Sequence, residues 1–304
     1  MIGCDCNAGL SNTGRPACVP LFSIVSSMII VPLVANDGTL NGIDLSATLP
    51  VWSDLVNETD ASKRWFPLPS FENVELPKAD SQFEEASSGR MAFLRQGKRS
   101  FSGELWAEDS TPTFLGKLQK SRCVDFGIYV VDVNGNLIGS EVDGYLYPIP
   151  VDNPSWNPVF MFATDSTVQK ITVGFDFDRL FEESTMYQIT PDEAGTDFTA
   201  LRGLIDVNFT SVTAVVASIT FTAEFSYGTA INKIAFTGAL PADLSVNNDT
   251  QGTSIAILTL DEDPNTPGDY VLTYVVADQP ALTEVVTVTV TKTGYSGSVT
   301  ATTA

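Results

Sequence analysis

Between residues 207 and 294 the sequence is written in the vocabulary of short strands, and this restricts the fold more than any other feature. SVTAVVASITFTAEF (211–225), KIAFTG (233–238), SIAILTL (254–260), YVLTYVV (270–276) and EVVTVTVT (284–291) are alternating or β-branched runs. Such side chains pack well on a pleated, half-buried surface. The runs are separated by turn-forming groups: Tyr227-Gly228, Asn247-Asn248-Asp249, Asp263-Pro264-Asn265 and Pro267-Gly268-Asp269. No helical period intervenes, so the spacing predicts a small β-sandwich over 207–294. The last ten residues, 295–304, read as a flexible tail.

The first 206 residues are mixed. Strands are predicted at 21–34, 99–107, 124–131, 137–142 and 170–177, with Asn134-Gly135 as a hairpin turn between IYVVD and NLIGS. The apolar stretch Val19 to Ala35 is short for a membrane span and holds Pro20 and Pro32, so it reads as one long buried strand. The chain opens on Met1, and neither a cleavable leader nor a membrane anchor is expected. One helix is well marked. Thr111 supplies an N-cap, Pro112 the first turn, and Phe114 and Leu118 share a face, with Lys117, Lys120 and Arg122 toward the C-terminal end. A second helix is expected at 51–63. Residues 67–100 read as a long irregular loop with Pro67, Pro69 and Pro77, acids at 84 and 85, and bases at 90, 95, 98 and 99. A loop of that length in a compact domain is usually functional or partner-bound.

Charge and the missing histidine narrow the function classes. The 304 residues hold 37 acids, 16 bases and no histidine, a formal charge of −21. So negative a chain repels phosphate backbones, which argues against conventional nucleic-acid binding. Without imidazole there is no Ser-His-Asp or Cys-His nucleophile system and no two-histidine zinc motif. The charge is unevenly spread: 14 acids and 11 bases in 1–122, 14 and 3 in 123–206, and 9 and 2 in 207–304. Three of the four cysteines, Cys4, Cys6 and Cys18, lie near the start and Cys123 lies apart. That is not the spacing of a common zinc finger or a disulfide framework, and free thiols are the expectation.

Candidate sites each have a plain alternative. Asp132-Val-Asn134-Gly-Asn136 with Asp143 echoes a calcium loop, but the glycine required at its sixth position is Leu137, and a hairpin turn is expected instead. The acids Asp261, Glu262, Asp263 and Asp269 could surround calcium or form a solvated turn. Asp176 and Asp178 alternate with Phe175 and Phe177, which on a strand puts both carboxylates on one wet face. The basic cluster Arg90, Arg95, Lys98 and Arg99 is expected to bridge to acidic neighbours. No phosphate loop, dinucleotide fingerprint or nucleophile elbow occurs. No enzyme activity is expected, and no catalytic, cofactor or metal residue is assigned.

The run PGDYVLTYVVAD and the closing EVVTVTVT resemble immunoglobulin-like modules of bacterial and viral surfaces, without the cysteine pair or core tryptophan of the antibody type. The order of parts as a whole resembles the tail tube (major tail) proteins of long-tailed bacteriophages. RQGKRSFSGELWAE (95–108), TPTFLGKLQKSRCVDFGIYVVDVNGNLIG (111–139) and the 207–294 module carry this likeness. It implies a mainly β fold: an arm at 1–20, a β-sandwich or barrel-forming tube domain at 21–206 with one or two flanking helices, and an Ig-like sandwich at 207–294. It further implies rings, usually hexameric, that stack into a tube, with arms and long loops bridging successive rings. The partners would then be further copies and other tail or virion proteins, with DNA only in transit and no membrane, in a virion assembled in the host cytoplasm. An acidic wall, with Asp176 and Asp178 as its candidates, would let DNA slide during ejection. The other readings are a capsid decoration, head-fibre or neck protein, and a bacterial surface adhesin or carbohydrate-binding protein.

Overall fold

The computed structural model describes Gly14 and residues 21–304; the rest of the expected arm, with Cys4, Cys6 and Cys18, lies outside the described residues. Two apolar runs organise the first part of the chain. Val25–Pro32 and Phe126–Asp132 pair antiparallel, with Ile29 opposite Tyr129. Every residue of Phe126–Asp132 is buried, so apolar side chains leave this strand on both faces and each face needs its own cover. The pair sits inside an eight-stranded sheet ordered Ile43–Asp44, Tyr145–Tyr147, Leu137–Val142, Phe126–Asp132, Val25–Pro32, Phe66–Pro67.

A second sheet, ordered Asn157–Met161, Lys170–Asp176, Ser100–Trp106, Glu72–Glu75, covers one face. Its strands alternate: Phe101 and Leu105 point inward while Ser100, Ser102 and Glu104 do not, and Ile171, Val173 and Phe175 match them across the register. Phe101 stacks on Phe175 at 5.0 Å, and Trp156 meets Phe126 edge-on at 5.2 Å. The opposite face of the large sheet is covered by Trp52, Trp65 and Phe198. There Trp65 lies 5.0 Å from the Tyr129 ring, and Tyr129 donates its hydroxyl to the Leu146 carbonyl at 2.8 Å. Burial holds the Tyr129 phenol well above its ordinary pKa.

The marked helix forms at Pro112–Lys120, with the Thr111 hydroxyl accepting from the Phe114 amide. Its buried Leu118 offers a carbonyl to the Trp156 indole N–H at 2.8 Å, tying the helix to the core. The other expected helix is short: only Trp52–Val56 is α-helical. Beyond it Glu58 and Asp60 accept backbone N–H groups two residues on, local bonds that compete with helix continuation. The stretch from Val19 is also not one buried strand. Among its described residues β-structure begins at Val25, and Leu21 and Ile24 are exposed.

The turn at Asn134-Gly135 joins Phe126–Asp132 to Leu137–Val142, with Gly135 at φ +78°. Fully buried Asp132 organises it. One carboxylate oxygen accepts the Asn134 and Asn136 amides at 2.9 Å each, and the other accepts the Asn136 side-chain amide at 2.8 Å and the Ser23 amide at 3.1 Å. Asp132→Ala strands these donors. It should cost about 3 kcal/mol in chemical denaturation, with Asp132→Asn intermediate.

The C-terminal part is a sandwich. One sheet is ordered Ile257–Glu262, Asp269–Tyr274, Ser218–Gly228, Ile205–Val215, Tyr295–Ser296, and the other Thr253–Ile255, Leu244–Asn248, Val285–Val290, Ser298–Thr302. Ile219, Phe221, Leu272, Val246, Val286 and Val288 fill the space between them. Three expectations are corrected. The run 211–225 is two strands, because the chain turns at Val216 and Ala217, which carry no turn signature. The run 254–260 breaks at Ala256, so Ile255 and Ile257 serve opposite sheets. Residues 295–304 are no flexible tail. Ser298–Thr302 pairs with Val285–Val290, and buried Thr303 donates its hydroxyl to the Ala281 carbonyl. SVTAT has strand alternation, with Val299 and Ala301 packed on the core. Removing 295–304 should therefore abolish the cooperative thermal unfolding of this sandwich rather than leave it intact, as calorimetry would record.

Candidate assembly surfaces

Residues 67–100 are not irregular. They contain Glu72–Glu75 and a separate hairpin of Gln82–Glu85 with Met91–Arg95. The hairpin leaves the body through the Lys78–Arg99 bridge and the Ala79 to Lys98 backbone bond of 2.8 Å. Its turn closes with the Ala86 amide on the Arg90 carbonyl at 2.9 Å. Every residue from 82 to 96 is exposed. These include Phe83 (54%), Met91 (57%), Phe93 (59%) and Leu94 (55%), with the two phenyl rings edge-on at 5.6 Å. No third strand joins this sheet among the described residues. A lone two-stranded ribbon is marginal in water, and so many exposed apolar side chains on one element make it a candidate interaction surface. The available signal was the alternation of QFEE and MAFLR around a Gly89 turn, masked by the charges flanking it.

Cations fasten the base of the hairpin. Arg99 donates to Glu183 at 2.7 Å and to the Leu76 carbonyl at 2.8 Å, and Lys78 reaches the other Glu183 oxygen at 2.9 Å. Lys98 lies 2.6 Å from Asp152 and 3.4 Å from Asp176. The Arg99 hydrogen bond, joined by Lys78, holds the Glu183 carboxyl below its usual range, and the Asp152 bond raises the Lys98 ammonium. The expected bridging of the basic cluster is thus realised by Lys98 and Arg99. Arg95 instead donates to the Gln82 side chain at 2.8 Å, and Arg90 at the turn pairs with no acid among the described residues.

Asp176 and Asp178 alternate with buried Phe175 and Phe177 as the pattern requires. Neither is a bare carboxylate. Asp176 accepts from Ser100 at 2.7 Å and faces Lys98, while Asp178 accepts the Leu180 amide at 2.7 Å. Asp132 and Asp143 belong to different turns. In the acidic loop, Glu262 accepts the Gly238 and Gly268 amides, Asp263 the Asn265 amide and Asp269 the Thr222 hydroxyl. No cluster of metal-ligating side chains is found among the described residues.

A second apolar surface lies at the free edge of the smaller body sheet. Asn157–Met161 is its edge strand, and Val159, Met161, Phe162 and neighbouring Trp106 are exposed. The two halves of the chain meet through polar contacts. Lys117 bridges Asp206 at 2.8 Å and sits 5.4 Å over the Tyr227 ring, and Thr113 donates to the Ser226 carbonyl. A cleft of about 460 Å³ between them is lined by Pro67, Pro69, Phe114, Leu204 and Tyr227.

No protein-family model matches the sequence, and no curated protein matches it. No helix among the described residues is long and apolar enough to cross a membrane.

A carboxylate held low in the folded state stabilises above its unfolded pKa, and that contribution fades as pH falls through the lowered value. Glu183 should therefore anchor the hairpin at neutral pH and release it as pH falls below the ordinary glutamate range and through its lowered pKa. Protection of the amides of residues 78–99, taken relative to their intrinsic exchange rates, should fall in acid, and Glu183→Gln should reproduce that loss of protection at pH 7 with the rest of the body still protected. Unchanged protection in both would show that Glu183 does not hold the hairpin.

Proposed function

We propose that this protein is a structural virion subunit that self-assembles into stacked rings, forming the tail tube of a long-tailed bacteriophage. The observation that carries the reading is the hairpin at 82–95, exposed throughout with four large apolar side chains yet fastened at its base by ion pairs. A monomer gains nothing from holding Phe83, Met91, Phe93 and Leu94 in water; a subunit whose neighbours cover them does. The hairpin and the Asn157–Met161 edge are unlike surfaces on one chain, which suits heterologous contacts that close into a ring. A β-sheet body with a packed helix, an exposed long hairpin and a C-terminal sandwich agrees with the layout of tail tube proteins. A net charge of −21 fits a conduit along which DNA passes without binding. Because Lys98 faces Asp176, that role rests on the overall charge and not on the Asp176–Asp178 pair. The partners are copies of this chain, in rings that are usually hexameric in the family it resembles, and other tail or virion proteins.

Negative-stain electron microscopy and solution mass across a concentration series test this. Hollow rings or stacked tubes are expected, with the monomer giving way as concentration rises. A strict monomer throughout would overturn the reading.

A further inference from the structure

The two outer edges of the exposed hairpin differ in charge. Gln82–Glu85 carries Glu84 and Glu85, while Met91–Arg95 ends in Arg95 and is preceded by Arg90. Neither edge is paired among the described residues, so the outward amides and carbonyls of both strands are open to a further strand. Unprotected edges usually invite any strand, and charge is the common device that limits the choice. Here the device is asymmetric. Two copies meeting at like edges would oppose Glu84 and Glu85 to themselves, or Arg90 and Arg95 to themselves. Like charges placed directly across a strand pair destabilise it and opposite charges stabilise it.

Resting on the self-assembly proposed above, we infer that the hairpins of neighbouring copies pair edge to edge, the acidic strand Gln82–Glu85 of one against the basic strand Met91–Arg95 of the next. The occupant of each edge is a second copy of this chain. Chain direction permits this. Within a hairpin the two strands run antiparallel, so hairpins repeated about a ring axis alternate up and down, and each new contact is again antiparallel. The contact joins one patch to a different one, so it propagates around the ring and closes on itself, where a two-fold contact would stop at a dimer. Packing agrees. Phe83 and Phe93 pair in register and leave from one face, with Met91 two positions along. Repetition would line these side chains into a continuous apolar stripe on one face of the shared sheet.

Charge reversal tests the pairing on the full-length chain. Glu84→Lys with Glu85→Lys makes both edges basic; Arg90→Glu with Arg95→Glu makes both acidic. Each double variant alone should raise the concentration needed for ring formation at least about tenfold, with the unfolding of the body unchanged because all four residues are exposed. An equimolar mixture should recover assembly, with the two variants alternating in the ring. The quadruple variant, whose edges are exchanged in sign, should assemble by itself. If either double variant assembles as the parent chain does, or if both fail and neither mixture nor quadruple variant recovers, edge pairing is overturned while the assembly reading stands. If the parent chain never assembles, both fall together.

Discussion

Everything in the first two-thirds of the molecule depends on pairing two strands that are far apart in sequence and buried on both faces. Ile29 meets Tyr129 a hundred positions later, and the apolar run of each strand supplies side chains to two separate cores. Closing so long a loop costs conformational entropy that grows only slowly with length, while burial on two faces roughly doubles the apolar surface gained per residue. The intervening chain is therefore free to wander. It returns as Ser100–Trp106 to cover one face, leaves the short helix Trp52–Val56 on the other, and sends out the exposed hairpin between them.

That arrangement explains how one sequence holds a firm body and an unburied appendage together. The hairpin contributes nothing to either core, so its side chains are not constrained by packing within the subunit. What fixes it is the base, where Lys78 and Arg99 share Glu183 and Lys98 bridges Asp152 and Asp176. These residues come from separate segments, and the strand Lys170–Asp176 that delivers Asp176 belongs to the sheet from which the hairpin emerges. The anchor is thus a by-product of forming the body.

Legibility followed the locality of each signal. The Thr111 cap, the Pro112 start and the Asn134-Gly135 turn act within a few residues, and the structure places all three where the sequence did. The strand Leu137–Val142 matches the expected 137–142 for the same reason, being set by the adjacent turn. Failures came where the decisive partner was distant or silent. Val216 and Ala217 turn the chain without any turn residue, because the strands on either side are held in register by their neighbours. Tyr295–Ser296 and Ser298–Thr302 read as a tail because their glycines and serines hide two short strands, one completed by Ile205–Val215 and the other by Val285–Val290. Buried Asp132 was read as one member of a loop, whereas its worth lies in four donors, one of them the distant Ser23 amide.

A chain with 37 acids and 16 bases that carries an apolar interaction element faces opposing demands. Copies approaching body to body repel one another, but at physiological salt that repulsion is screened beyond about 8 Å. From Lys78 to Ala86 the hairpin spans eight residue steps, roughly 25 Å at an extended rise per residue. An element of that length makes contact outside the screened cloud of its own body. It also places Arg90, which forms no ion pair among the described residues, at the hairpin turn, where it is met first. On the proposed self-assembly, the negative charge would keep dilute copies apart and favour the approach in which the hairpin leads. In the proposed assembly, separation of dilute copies and directionality of their contact would follow from the same distribution of charge.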